Sequence, residues 1–151
     1  MSRLKKNIHI ICPSNKLGGG EDLLLSHYRN LIEKHCDFKL DLIKPLKGAN
    51  KIQSEGKEIL TRVPKSSCVI CLSERGQHYD TAALAQTLEN KTKWCVIVGS
   101  SDGLDESVIE QSHVHLALSK MTLTHQLALC VITEQLYRII SIYNQHPYHR
   151  A

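Results

Sequence analysis

The sequence lacks an apolar run long enough to cross a membrane. Its first such run, residues 7–12, follows a basic start and is broken by Pro13 and Ser14. A membrane-spanning helix needs about 20 apolar residues, and this run is also too short for a signal peptide. We therefore expect a cytoplasmic protein that does not associate with a membrane.

The sequence also lacks a large excess of charge of one sign. Its 19 Lys and Arg residues against 15 Asp and Glu residues give a net charge of +4, too little to indicate a nucleic-acid-binding protein by itself. Local basic clusters at residues 3–6, 44–51, 91–93 and 146–150 could each contact phosphates, which dominate the affinity of proteins for nucleic acids. A solvated surface is the more common role of such clusters.

Motifs for metal and phosphate sites are incomplete. Cys68 and Cys71 form a CxxC pair without a second pair, and residues three apart on a strand point to opposite faces. His113 and His115 share a face, but two histidines alone make a poor metal site. The glycines at 18–20 lack the Gly-Lys-Ser/Thr ending of a P-loop. We therefore expect no metal site, and no disulfides, because most of the six cysteines lie in apolar runs.

The chain has the length of a single domain, which we assign to residues 1–151. Apolar runs and alternation predict strands at 7–12, 38–43, 67–72, 94–98 and 113–119, with a turn at 73–76 after the third. Helical periodicity predicts helices at 21–34, 51–63, 81–90, 106–111 and 124–144. This alternation is typical of an α/β fold with a mostly parallel sheet and helices on both faces.

Parallel sheets bind ligands beyond the carboxyl ends of their strands. Three predicted strand ends are candidates for such a site, at residues 72–73, 99–100 and 118–123. Gly99 and Gly103 surround small polar residues, which lets a ligand approach the backbone closely. A ligand site is therefore expected at this edge of the sheet.

The last third of the chain combines a long helix with an unusual tail. Helix 124–144 is apolar on nearly all sides, and because a small domain can hardly cover it alone, we expect a homodimer that packs partly through it. Chain ends are usually dispensable. This one offers two imidazoles, a phenol and a guanidinium in the run His146-Pro147-Tyr148-His149-Arg150. The tail is either functional or a solvated basic end.

Three motifs of this region occur together in one known family. They are Met121-Thr122-Leu123-x-His125-Gln126-Leu127, Glu134-Gln135-Leu136-Tyr137-Arg138 and the tail itself. The set resembles the C-terminal signature of the ribosomal RNA large subunit methyltransferase H family, which is similar to other SPOUT methyltransferases. The resemblance implies a SPOUT-type fold with a C-terminal trefoil knot formed by residues 99–144. It also implies methylation of N3 of a pseudouridine in helix 69 of 23S ribosomal RNA, within the ribosome.

The resemblance further implies S-adenosylmethionine as cofactor. It assigns cofactor binding to the three strand ends, through Leu72, Gly99, Leu118, Ser119, Lys120, Met121, Thr122 and Leu123. Two positions depart from the family pattern. Ser100 replaces a usual glycine, which could narrow the cleft, and Leu129 replaces a common arginine, which could remove a contact to the RNA or across the dimer.

The catalytic residues implied by the resemblance are His149, Tyr148, Arg150 and Arg138. His149 is the first choice as proton acceptor, since imidazole titrates near neutral pH. Positioning of the substrate alone could instead supply much of the rate. Tyr148 could stack on or bond to the target base, and the two arginines could hold phosphates. For Arg138, a pair with Glu134 on the same helix face is an equal alternative.

Two other functions stay open. One is a SPOUT methyltransferase that acts on transfer RNA. The other is a catalytically silent nucleotide- or RNA-binding module, which the departures at Ser100 and Leu129 favour.

Overall fold

Within residues 5–150, five strands alternate with five helices, as the sequence predicts. The structure is a computed structural model and describes residues 5–150. The strands are β1 (Asn7–Pro13), β2 (Asp37–Ile43), β3 (Cys68–His78), β4 (Lys93–Val98) and β5 (Val114–Ala117). The helices are α1 (Gly19–Glu33), α2 (Lys51–Arg62), α3 (Thr81–Leu88), α4 (Glu106–Glu110) and α5 (His125–Tyr143).

The sheet has the strand order β2-β1-β4-β3-β5, and every neighbouring pair is parallel. Alternate residues of the strands enter two separate apolar clusters, one on each face. The larger cluster holds α1, α3 and α5, and the smaller one holds α2 and α4. Cys68 lies in the first cluster and Cys71 in the second, so the CxxC pair straddles the sheet as predicted.

Short polar side chains begin three of the helices. Asp80 accepts a hydrogen bond from the backbone N–H of Ala83 at the start of α3, and Asp105 begins α4. Thr124 accepts from Leu127 N at 3.2 Å, and so fixes the position at which α5 leaves the preceding loop. Such caps satisfy backbone donors that have no partner within the helix.

Strand β3 differs from its prediction. It continues to His78, and its register against β5 shifts because both Leu72 and Gln77 pair with Leu116. Residues 73–76 therefore bulge from the strand instead of ending it. Gly76 permits this, because a Cβ there would lie 2.7 Å from the carbonyl carbon of Leu116.

Helix α5 is covered mainly by its own chain, contrary to the expectation that one small domain could not cover it. Ten of its residues are buried: Leu129, Cys130, Ile132, Thr133, Leu136, Tyr137, Ile139, Ile140, Ser141 and Tyr143. They pack against α1, α3 and β4. Burial of this helix therefore does not by itself require a second copy. No helix within residues 5–150 is long and apolar enough to span a membrane.

Candidate active site

A cleft of about 940 Å³ opens at the carboxyl edge of the sheet. Its wall consists mainly of the bulge within β3, the loops that follow β4 and β5, and the first turn of α5. The predicted cofactor residues that line it are Leu72, Gly99, Leu118, Ser119, Met121, Thr122 and Leu123. Lys120 does not line it and is exposed. The structure thus brings together the three segments that the sequence identified, although the one at residues 72–73 begins a bulge within β3 and does not end the strand.

Apolar side chains and close backbone packing shape this cleft. Leu72 is buried, and Leu118 and Leu123 are half-buried. A Cβ on Gly99 would lie 2.9 Å from the carbonyl group of Gly103, so only glycine allows the β4–α4 loop to fold this tightly. Such a cleft suits a flat apolar group whose edge bonds to backbone atoms.

The β4–α4 loop is tied to α2 beneath it. The hydroxyl of Ser100 donates to the buried carboxylate of Glu55 at 3.1 Å, and the other oxygen of Glu55 accepts from Leu46 N at 3.0 Å. Lys51 also forms an ion pair with Asp102 at 2.7 Å. Ser100 therefore holds the β4–α4 loop, which forms one wall of the cleft, against α2. No local pattern in the sequence pointed to Glu55.

Polar side chains near the start of α5 complete the rim. His125 Nε2 lies 3.2 Å from Ser14 Oγ, and Gln126 Nε2 donates to the same oxygen at 3.3 Å. The backbone N–H of Gly18 donates to the Gln126 side chain at 3.5 Å. These bonds hold the β1–α1 loop against α5, so the His-Gln pair of the motif has a structural role at the cleft.

The tail folds back on α5 and α1 through Tyr148. Its hydroxyl donates to Glu134 Oε1 at 2.9 Å and lies 3.2 Å from the hydroxyl of Tyr28. Its ring packs edge-on against Tyr137, with centroids 4.7 Å apart. Burial, with the bonds to Tyr28 and Glu134, raises the pKa of the Tyr148 phenol, so the hydroxyl stays a donor at neutral pH.

Arg138 joins the helix to the tail. It forms an ion pair with Glu134 at 2.6 Å, as the four-residue spacing predicts, and this bond raises the pKa of the guanidinium. Its guanidinium carbon also lies 4.7 Å from the centroid of the Tyr148 ring. The Nη1 atom of Arg138 is 3.3 Å from Nδ1 of His149. Because guanidinium groups only donate, Nδ1 accepts here, and a neutral His149 ring carries its proton on Nε2.

Arg150 is exposed, and within residues 5–150 it has no hydrogen bond or ion pair. Leu129, the other departure from the family pattern, is fully buried and adds to the core, not to a surface.

The sequence did not identify Glu134 and Tyr28 as site residues, although both bond to Tyr148 of the tail. Glu134 had the signal of its spacing from Arg138, whereas nothing in the sequence pointed to Tyr28.

The tail and the cleft of one chain lie apart. None of Arg138, Tyr148, His149 and Arg150 lines the cleft. Ala128, the last residue of α5 that lines the cleft, is 10 residues from Arg138, or about 15 Å at 1.5 Å per residue, and 6 residues, or about 9 Å, from Glu134, which bonds to Tyr148. The two groups of predicted site residues therefore form two separate clusters within one chain.

Among the described residues, the titratable groups outside the cleft and the tail do not form a metal site or a reactive thiol site. No group of three or more His, Cys, Asp or Glu side chains in residues 5–150 could hold a metal ion. All six thiols are free and buried. Burial raises the pKa of Cys36 to about 11 and that of Cys95 to about 12, which keeps them protonated and unreactive.

Comparisons with known proteins agree with this geometry. Residues 6–149 match the family described as "Predicted SPOUT methyltransferase". The ribosomal RNA large subunit methyltransferase H of Hydrogenovibrio crunogenus is 36% identical, over 95% of this chain and 99% of that protein. The protein of the same name from Nitrosomonas eutropha is 34% identical, again over 95% and 99%.

A solved structure shows the same fold. It is a probable methylase family protein from Haemophilus influenzae, with a TM-score of 0.59 and 17% identity over 97% of this chain and 71% of that one. The resemblance found in the C-terminal motifs is thereby confirmed over nearly the whole sequence. The chain belongs to the SPOUT methyltransferase family, has its α/β fold, and is a methyltransferase related to the ribosomal RNA large subunit methyltransferase H proteins.

Proposed function

We propose that this protein transfers a methyl group from S-adenosylmethionine to N3 of a pseudouridine in helix 69 of 23S ribosomal RNA, in the cytoplasmic ribosome. Relatives of near-equal length carry the name of a ribosomal RNA methyltransferase, which supports the RNA substrate. The observation that carries the proposal is the cleft, which seven of the eight predicted cofactor residues line.

The cleft suits the cofactor chemically. Leu72, Leu118 and Leu123 would enclose the adenine, and backbone groups of the loops at 99–103 and 118–123 would bond to its edge. Lys120 would contribute only backbone, because its side chain is exposed outside the lining. When bound, the cofactor supplies an electrophilic methyl group on a sulfonium centre.

The working enzyme is a homodimer in this proposal. No tail residue lines the cleft of its own chain, and Arg138, which contacts His149, lies about 15 Å along α5 from the last cleft residue, Ala128, so the tail that serves a cleft comes from the partner. Exposed apolar side chains support such an interface: Leu23 and Leu24 on α1, Leu127 on α5 and Met121 on the cleft rim. Exposed apolar groups on contacting helices are typical of a protein–protein contact.

The chemistry requires removal of one proton. As the bond from N3 to the methyl carbon forms, the methyl–sulfur bond breaks and its electron pair stays on sulfur, while the N3 proton leaves to an acceptor. His149 could accept that proton only if Arg138 released Nδ1, since the lone pair there is already bonded. We therefore assign His149 the role of a donor through Nε2 to a carbonyl oxygen of the imide, which stabilises the developing anion. Solvent water then takes the proton.

The other tail residues divide between anchoring and RNA binding. Tyr148 holds the tail through Glu134 and Tyr28, so its ring is engaged and does not stack on the base. Arg138 orients His149 and pairs with Glu134. Arg150, which is exposed and unpaired among the described residues, binds phosphate.

We also propose that residues 99–144 form the family's trefoil knot. Strand β5 lies at the edge of the sheet, yet the helix that follows packs beside α1, which requires the chain to return across the carboxyl edge. The loops that follow β4 and β5 both line the cleft. Knots are rare, so the family relationship is the main support for this threading.

Purified protein incubated with ribosomes and methyl-labelled S-adenosylmethionine tests the proposal. The expected result is label in 23S ribosomal RNA, at N3 of one pseudouridine, with none in transfer RNA. Label in transfer RNA alone would favour a SPOUT enzyme of different specificity. Cofactor binding without transfer to any RNA would favour the silent binding module.

A further inference from the structure

A basic surface lies beside the cleft, on the loop that joins β2 to α2. Its Lys44 and Lys47 are exposed, and no ion pair among residues 5–150 includes either of them. Lys16, on the adjacent β1–α1 loop, is also exposed and unpaired in the same part of the chain. A hydrogen bond of 2.9 Å from Ser14 N to Ile43 O holds the two loops side by side.

The β2–α2 loop is built into the wall of the cleft. Glu55 is only 2% exposed, and its two oxygens bond to Leu46 N in this loop and to Ser100 Oγ in the cleft wall. A buried carboxylate is costly unless it is fully bonded, so this link resists separation of the two loops. The ion pair of Lys51 with Asp102 adds a second connection at the surface.

We propose that the β2–α2 loop is an RNA-binding surface, on which Lys44 and Lys47 contact phosphates that flank the target nucleotide. The inference rests on the proposed function, because it takes RNA as the substrate that approaches the cleft. Exposed, unpaired lysines bind phosphates by releasing counterions. The rigid connection to the cleft wall then holds the bound backbone at a fixed position relative to the methyl group.

The test compares two double variants with equal loss of charge. Lys44→Ala/Lys47→Ala removes the proposed surface, and Lys65→Ala/Lys93→Ala removes two exposed lysines near the amino ends of β3 and β4, at the opposite edge of the sheet. Affinity for purified ribosomes is measured by co-sedimentation at several potassium chloride concentrations. Affinity for S-adenosylmethionine is measured separately by calorimetry.

The first variant should bind ribosomes about tenfold more weakly. The slope of its plot of log affinity against log salt concentration should be less negative by about 1.5, since each neutralised phosphate contributes about 0.7–0.9 to that slope. The second variant should match the wild type, and both should retain cofactor affinity. Equal effects of the two variants, or a larger effect of the second, would overturn the inference. Weaker binding with an unchanged salt dependence would indicate a ribosomal protein contact and would overturn it as well.

These outcomes are separable from failure of the proposed function. Methyl transfer by the wild type tests that function directly, whereas the difference between the two variants is measured without any transfer. If the wild type transfers methyl groups and the two double variants bind ribosomes equally well, only the role of the basic surface is rejected. Wild-type binding without transfer, together with a selective loss in the first variant, would support the surface and reject the methyl transfer.

Discussion

Arg138 Nη1 lies 3.3 Å from His149 Nδ1, and this contact makes Nδ1 the acceptor and Nε2 the donor of a neutral His149 ring. The same guanidinium is held by Glu134, which in turn accepts from Tyr148. Arg138 and Glu134 of α5 are thus linked to each other, and each is bonded to one residue of the tail. This linkage orients the tail, and in the proposed mechanism this reduces the entropy lost when the reactive complex forms.

The donor role proposed for His149 predicts different outcomes for two substitutions. His149→Gln retains an N–H donor, whereas His149→Ala removes it, and neither side chain is a base. We expect the alanine variant to lose about 10²–10³-fold in single-turnover rate on ribosomes, as other lost oxyanion donors do. The glutamine variant should keep a clearly higher rate than the alanine variant, with unchanged cofactor affinity in both. Equal inactivity of the two variants would instead support His149 as the proton acceptor.

Removal of the Tyr148 hydroxyl should loosen the tail without unfolding the protein. Hydrogen bonds to a carboxylate contribute about 1.5–3 kcal/mol, so Tyr148→Phe should raise hydrogen exchange in residues 145–150 and lower the methyl transfer rate. The control is Tyr79→Phe, which removes a 3.3 Å bond to Gln77 and no contact to the tail. A lower unfolding temperature with unchanged tail exchange would contradict this anchoring role.

The tail should also respond to alkaline pH. The raised pKa of Tyr148 means that the folded state favours the protonated phenol. Its stabilising contribution is therefore complete below the ordinary tyrosine pKa of about 10, and it is lost as pH rises through the higher folded value. Exchange in the tail, corrected for intrinsic rates, should stay constant from about pH 7 to 9. Loss of tail protection within that interval would show that another group controls docking.

Gly76 should tolerate no side chain. A Cβ there would lie 2.7–2.8 Å from three backbone atoms of β5, so Gly76→Ala should destabilise the fold by about 1–3 kcal/mol in urea unfolding. The matched control is Gly20→Ala in α1, where a Cβ meets nothing within 4 Å and helix propensity favours alanine by up to about 1 kcal/mol. Equal stability of the two variants would disprove the close packing of the β3 bulge on β5.

The sequence predicted the local elements well, because each strand and helix follows a pattern of neighbouring residues. The apolar runs located β1, β3, β4 and β5, and Thr124 and Asp105 act as helix caps. The strand ends also identified most of the cleft, since parallel sheets place ligands there. These features depend on periodicity and chain connectivity alone.

Other features depend on contacts between distant residues, which no local pattern records. Glu55 is hydrogen-bonded to Ser100, which is 45 residues away in sequence, and Tyr28 to Tyr148, which is 120 residues away. The bulge after Leu72 arises from its shifted pairing with β5. The separation of tail and cleft could not be predicted either, because it follows from the direction in which α5 leaves the cleft.

The proposed site, shared by two protomers, predicts complementation between two inactive proteins. Gly99→Arg should block the cleft of one protein, and His149→Ala should disable the tail of the other. After the two are unfolded together and refolded as a mixture, half of the dimers are mixed, and each mixed dimer has one intact cleft beside one intact tail. Methyl transfer to 23S ribosomal RNA should then recover to about one quarter of the wild-type value. No recovery in a mixture shown to contain mixed dimers would contradict a site formed by the cleft of one protomer and the tail of its partner.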